Sequence, residues 1–198
     1  MGLNLEYLQG QTPLDEDEKE GLLIKSISTR NDLDEFEQLN IEKAVEWTLG
    51  KNLSVEKILN VEFIKDLHKK MFGDVWKWAG EYRKTNKNIG VDKFDIPVNL
   101  KDLIDDTNLW VKDKVFDEDQ IAVRFSHRIV KIHLFPNGNG RHSRLIADIL
   151  ISQGFGKKEF TWGQSNLTEK GNAREKYLSV LRLADDNQYS ELIKFARS

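Results

Sequence analysis

The sequence predicts an all-α domain of about eight helices carrying one β-hairpin. Three observations lead there. From residue 31 to the end, apolar residues recur at helical spacing between recognisable start and stop signals. Only residues 85–97 alternate apolar and polar residues as a half-buried hairpin does. With 198 residues, 39% hydrophobic content and 32% charged content, the chain can bury one sizeable core and stay polar outside.

The elements follow in order. Residues 1–30 read as an N-terminal arm. Leu3, Leu5 and Tyr7 alternate, consistent with a short strand. Thr12 as N-cap, Pro13 at the first position, and Asp15 and Glu16 in the first turn open a short acidic helix ending near Glu20 and Gly21. Asn31 or Asp32 caps a longer helix to Leu49, with Leu33, Phe36, Leu39, Ile41, Ala44, Val45 and Thr48 tracing an apolar face and Gly50 as the stop. Ser54 caps a short helix. Val61 to Phe72 forms another, with Phe63, Ile64, Leu67 and Met71 inward; His68 beside them reads as a satisfied core histidine. Trp76, Trp78 and Tyr82 break the helical pattern and read as core plugs. After the hairpin, Pro97 leads a helix to Lys114, and Asp117 caps one to His133 that is rich in Ile, Val and Phe, hence central. Arg141 to Gln153 regains helical spacing, with Gly154 as its stop. Thr168 and Glu169 start a helix to Ala184, and the last runs from Gln188 to Ala196. Residues 31–198 thus form one helical domain.

Composition excludes several functions. The net charge of −3 argues against a nucleic-acid partner. The absence of cysteine excludes disulfides and thiolate metal sites and suits a reducing cytoplasm. No apolar run approaches the roughly 18 residues of a membrane span. Residues 1–6 lack a signal-peptide core and a myristoylation signal.

Chemistry concentrates between Lys131 and Arg144. Pro136 and the following Asn137, Gly138, Asn139 and Gly140 cannot continue a helix, and Asn and Gly tolerate positive φ, so the loop can turn with its amides pointing inward. Amides at a helix N-terminus attract anions. Arg141 and Arg144 share one face of the first turn, where cations oppose the helix dipole. A polyphosphate would make that placement sensible; a basic, solvated helix start is the competing reading. His133 ends the preceding helix, and its ordinary pKa near 6.5 suits a general base for a hydroxyl. No Walker-type G-x-x-x-x-G-K-[ST] occurs.

The run His133-Leu134-Phe135-Pro136-Asn137-Gly138-Asn139-Gly140-Arg141-His142-Ser143-Arg144 resembles the Fic-domain signature H-P-F-x-[D/E]-G-N-G-R-x-x-R. Trp78 to Arg83 and the hairpin are similar to the stretch leading into the Fic flap. Thr12 to Glu16 and the loop spelling resemble the subgroup called mobile mystery protein B. The resemblance implies a Fic-type helical bundle with a β-hairpin flap, and transfer of AMP from ATP to a Ser, Thr or Tyr hydroxyl of a target protein. It implies His133 as the catalytic base, Phe135 as a buried anchor, Gly138, Asn139, Gly140 and Arg141 on the α- and β-phosphates, and Arg144 on the γ-phosphate. Lys87, Asn88, Ile89, Gly90 and Val91 would clamp the target backbone by strand addition.

Two departures stand out. Leu134 replaces a proline, a local matter. Asn137 replaces the acid that holds Mg²⁺ (or Mn²⁺) in active relatives, and an uncharged amide should bind the metal more weakly. The inhibitory pattern [S/T]-x-x-x-E-[G/N] has its nearest match at Glu16 to Gly21. Glu20 would then pair with Arg144 in place of the γ-phosphate; a solvated acidic helix is the equal alternative. Doc-like phosphotransfer and a catalytically weak nucleotide- or partner-binding module remain the rival functions. A separate antitoxin partner stays open.

Overall fold

The structure is a computed structural model that describes residues 12–164 and 171–198. Among the described residues it is all-helical, with nine α-helices. They are α1 (Glu16–Lys19), α2 (Arg30–Leu49), α3 (Val55–Ile58), α4 (Val61–Phe72), α5 (Ile96–Lys112), α6 (Glu118–Ile132), α7 (Asn139–Ile149), α8 (Asn172–Asp185) and α9 (Ser190–Arg197). A π-helical turn, Leu150–Gly154, extends α7. The expected strand at Leu3 to Tyr7 and the expected helix start at Thr168 lie outside the described residues. No described helix is long and apolar enough to cross a membrane.

Helix α6 is the axis, packed between α5 and α7 and touching α9. Ile121, Val123, Phe125, Ile129 and Ile132 are all buried along it. Asp117 caps it by accepting from the Gln120 amide at 2.8 Å. Ser126 Oγ donates to the Ser143 carbonyl at 2.9 Å, clipping α6 to α7. Helix α2 lies on α4, and α8 on α9.

Four expectations need correction. The hairpin over residues 85–97 does not form: no strand occurs among the described residues, only an isolated bridge between Leu22 and Trp76. The reason is competition for backbone groups. Arg83 donates to the Thr85 carbonyl at 2.9 Å and to the Val91 carbonyl. The Val91 amide goes to Ile132 O (3.3 Å). Asn86 and Asp92 take the amides of Lys93 and Phe94. With those groups bonded to side chains and to α6, no ladder is left to make.

Helix α1 begins at Glu16 with Asp15 as its cap, not Thr12, because Thr12 turns inward. Helix α2 is capped by Thr29: the Asp32 amide donates to Thr29 Oγ1 (3.1 Å) and the Thr29 amide to Asp32 Oδ2 (3.0 Å). Its buried face is also rotated. Phe36 and Leu39 are exposed, while Leu33, Glu37, Asn40, Ala44 and Thr48 face inward. Satisfied polar groups set this phase. Trp76 Nε1 donates to Glu37 Oε1 at 2.6 Å, and Glu37 Oε2 pairs with Arg141 at 2.7 Å. Asn40 bridges the Lys70 carbonyl and the Asp74 amide, both at 2.9 Å.

The phase of α2 is testable in urea. Glu37→Ala strands the Trp76 indole N–H and a mostly buried Arg141, and should cost about 2–4 kcal/mol. Leu39→Ala, on the half-exposed side, should cost under about 1 kcal/mol. A reversed order would mean that the apolar face, not the polar one, packs inward.

Candidate active site

The α6–α7 junction is built around a left-handed residue. His133 closes α6 at φ 60°, ψ 66°, a conformation that costs a side-chain-bearing residue about 1 kcal/mol or more. Arg83 holds it there. Its Nε donates to the His133 carbonyl at 2.7 Å, and its own amide donates to the Leu134 carbonyl at 2.9 Å. Gly90, at φ 102°, backs the same residue; a Cβ there would lie 2.7 Å from His133 Cβ. The 84–95 loop therefore presses on the candidate base instead of standing apart as a hairpin.

The loop itself is closed by its own side chains. Asn139 Oδ1 accepts from the Phe135 amide (3.0 Å), and Asn139 Nδ2 donates to the Phe135 carbonyl (2.7 Å). Phe135 is fully buried and stacks on His68 with ring centroids 3.7 Å apart. The Gly80 amide donates to His68 Nδ1 (3.0 Å), which leaves Nε2–H to donate to the Asn137 carbonyl (3.0 Å). Gly138 starts α7 at φ 78°, where a Cβ would meet the Phe72 ring at 2.6 Å. Only glycine fits, and the first amides of α7 have no acceptor within the helix.

These amides border a cavity of about 540 Å³. His133, Asn137, Gly138, Asn139, Gly140, Arg141 and Arg144 all line it, together with Ile89 and Gly90 from the 84–95 loop. So do Arg30, Arg174 and Arg182, which the sequence reading did not single out, and Thr12, which it placed as a helix cap. A signal existed for two of them: Arg174 and Arg182 stand eight residues apart on one side of α8, with Leu178 between. Arg30 and Thr12 carry no such mark. Arg141 is engaged by Glu37 and lies over the Phe72 ring, 4.8 Å from its centroid. Arg144 sits 5.2 Å from the Tyr177 centroid. Across the cavity Asp185 pairs with Lys131 (3.0 Å) and His127 (3.1 Å). The wall is strongly cationic, as a polyphosphate requires.

Other sequence-marked residues fall elsewhere. Glu20 is exposed at the end of α1 and is not part of the cavity wall. Lys87 is pinned by α1 and its cap, donating to Asp15 (2.8 Å) and Glu18 (2.5 Å). Asn88 is exposed, and Val91 is half-buried against the core.

Burial tunes the histidines. Desolvation lowers the pKa of His133 to about 4, helped by Arg83 and Lys87 and opposed by the Val130 carbonyl. Its Nδ1 makes no hydrogen bond of ordinary geometry, so the Val130 carbonyl offsets little of the desolvation. His133 is thus a neutral base at pH 7. Its Nε2 lies 3.0 Å from Thr12 Oγ1.

The residues present do not fit a resident Mg²⁺. Asn137 is uncharged; its Oδ1 accepts from the Gly138 amide (2.6 Å) and its Nδ2 donates to the Thr12 carbonyl (3.2 Å). Among the described residues no group of three or more His, Asp or Glu could hold a metal ion. Mg²⁺ at phosphate sites ordinarily relies on a carboxylate.

Comparison with known proteins places the chain. Residues 58–151 match the Fic/DOC family; the chain carries a Fic/DOC family domain. The protein adenylyltransferase Fic of Aedes aegypti is 23% identical over 175 residues, covering 86% of this chain and 32% of that protein. The chain thus spans about a third of the length of that relative. Among solved structures, Fic-1 (residues 134–508) from C. elegans superposes with TM-score 0.67 at 21% identity, over 90% of this chain and 51% of that one. The BepC protein from Bartonella tribocorum, a VirB-translocated effector with bound AMPPNP, superposes with TM-score 0.68 at 15% identity, over 92% and 97%. The fold is the Fic fold.

All four histidines are buried with lowered pKa: His142 to about 4, His68 well below 6.5, and His127 less so, in each case chiefly through desolvation. From about pH 6.5 down to 4 the unfolded chain takes up protons there that the folded chain refuses, so stability falls with pH. Asp148 acts the other way, since burial raises its pKa to about 7 and the fold keeps its proton. Four groups outweigh one. The melting temperature should drop by at least about 4–8 °C between pH 7 and pH 5 if the net loss is ~2 kcal/mol. A melting temperature that holds steady or rises over that range would contradict the burial of the imidazoles.

Proposed function

We propose that the chain transfers AMP from ATP to a Ser, Thr or Tyr hydroxyl of a protein. The observation that carries this reading is the neutral His133 ring, whose Nε2 meets a hydroxyl oxygen at 3.0 Å at the edge of an arginine-lined cavity. His133 takes the proton of the acceptor hydroxyl. The oxygen attacks the α-phosphorus, an O–P bond forms, and the bond from that phosphorus to the β-phosphate oxygen breaks, releasing pyrophosphate. The amides of Asn139 and Gly140 and the guanidinium of Arg144 stabilise the spreading phosphate charge, and the Gly138 amide joins them only if it leaves Asn137 Oδ1. Asn139 serves through its backbone, because its side chain closes the loop. Arg141 serves only if its pairing with Glu37 is shared with the phosphates.

Ile89 and Gly90 line the cavity and would meet the target backbone in this reading. Lys87 is committed to α1 and would have to exchange partners to contact a target. Restraint by Glu20 requires α1 to move, since Glu20 lies outside the cavity wall. An antitoxin remains a proposal drawn from the family resemblance alone.

A second reading has its own observation. Asn137 is neutral and doubly hydrogen-bonded where a charged metal ligand would serve, which favours a weak transferase that chiefly binds nucleotide.

Labelled ATP separates these readings and the Doc-like one. Label transferred from the α-phosphate alone is expected for AMP transfer; label from the γ-phosphate alone would mean phosphotransfer. His133→Ala should lower transfer by about 10²-fold or more. Asn137→Asp should raise it in Mg²⁺. ATP binding with no transfer by either protein would leave the binding module.

A further inference from the structure

The group on the candidate base is the chain's own. Thr12 is buried, with 5% of its surface exposed, and its Oγ1 lies 3.0 Å from His133 Nε2. Its carbonyl accepts from Asn137 Nδ2 at 3.2 Å, so both its side chain and its backbone are read by the catalytic loop. Thr12 lines the same cavity as Gly138, Gly140 and Arg144.

The segment is held there by contacts with Trp78, Thr85 and Lys87. A residue before proline, as Thr12 is, is biased toward extended backbone. Lys87 reaches the Pro13 carbonyl (3.4 Å) as well as Asp15 and Glu18. Thr85 Oγ1 donates to Asp15 Oδ2 (2.6 Å), and Trp78 Nε1 to the Glu18 carbonyl (2.9 Å). The 84–95 loop thus grips the arm on the side where an acceptor peptide would lie.

We propose that Thr12 is a modification site of the chain's own reaction, taking AMP in cis. This rests on the AMP-transfer reading. The tautomer with its proton on Nδ1, toward the Val130 carbonyl, leaves Nε2 to accept the Thr12 proton. Thr12 Oγ1 then bonds to the α-phosphorus of ATP as the bond to the β-phosphate oxygen breaks, and pyrophosphate leaves. The product is an AMP–threonine ester on an arm already seated in the cavity. A simple structural plug would need neither the hydroxyl nor its placement on Nε2.

The test uses the full chain with α-labelled ATP and Mg²⁺ or Mn²⁺, in the native sequence and in Asn137→Asp. Fragment mass spectrometry locates the label, and thermal melts confirm that each variant folds. The expected result is one AMP on Thr12, formed at a rate per molecule that does not change with protein concentration. Thr12→Val should lose it, Thr12→Ser should keep it within a few-fold, and His133→Ala should lose it. Label elsewhere on the chain, or only on an added acceptor protein, with Thr12 unmodified, overturns this proposal but keeps the AMP-transfer reading. A rate per molecule that rises with protein concentration overturns transfer in cis. No transfer to any acceptor by either protein, with ATP bound, overturns both.

Discussion

Arg83 is the residue on which the site depends. Its guanidinium ties two stretches of chain together, the end of α6 through the His133 carbonyl and the 84–95 loop through the Thr85 and Val91 carbonyls, while its own amide reaches the Leu134 carbonyl. A buried guanidinium is tolerated because its donors meet carbonyls. Without it, the contact with Gly90 and the bond to the Ile129 carbonyl would be left to hold His133 in a left-handed conformation against its steric preference. The imidazole would then leave the edge of the arginine-lined cavity. The loop that makes a base available is therefore stabilised from outside the motif.

The same economy runs through the core behind the loop. His68 and His142 are buried and neutral, and each gives a hydrogen bond to a backbone carbonyl, of Asn137 and Ile64 respectively. They act as rigid spacers in an aromatic layer with Phe72 and Phe135. On the other side, Glu37 satisfies Trp76 and Arg141 at once and fixes α2 against the start of α7. The cavity keeps its positive potential because Asp185 is the one acid among the described residues of its wall, against Arg30, Lys131, Arg141, Arg144, Arg174 and Arg182.

Helix positions were legible because periodicity, caps and glycine stops are local. The loop from His133 to Arg144 was legible because proline, asparagine and glycine restrict backbone conformation wherever they occur. The hairpin was misread: alternation at Ile89, Val91 and Phe94 reports which side chains could face a core, not which amides remain free to pair. Asn86, Asp92 and Arg83 captured those amides and carbonyls. The face of α2 was misread because Phe36 and Leu39 are more apolar than Glu37 and Asn40, yet the polar pair finds complete partners across 30 residues or more of chain. Such partners have no signature in the local sequence.

The chain alone therefore determined an all-α domain and a glycine-rich turn before a helix, with a histidine ahead of it and arginines behind. Those features follow from dihedral preference and apolar spacing, which act between near neighbours. Tertiary structure alone decided what surrounds the turn. It brought Arg30, Arg174 and Arg182 to one cavity with Arg144, set Arg83 under His133, and laid the Thr12 hydroxyl on the imidazole. Residues 121 positions apart meet only when a core has closed, because hydrogen bonds of that separation repay the ordering of the chain only within a packed fold.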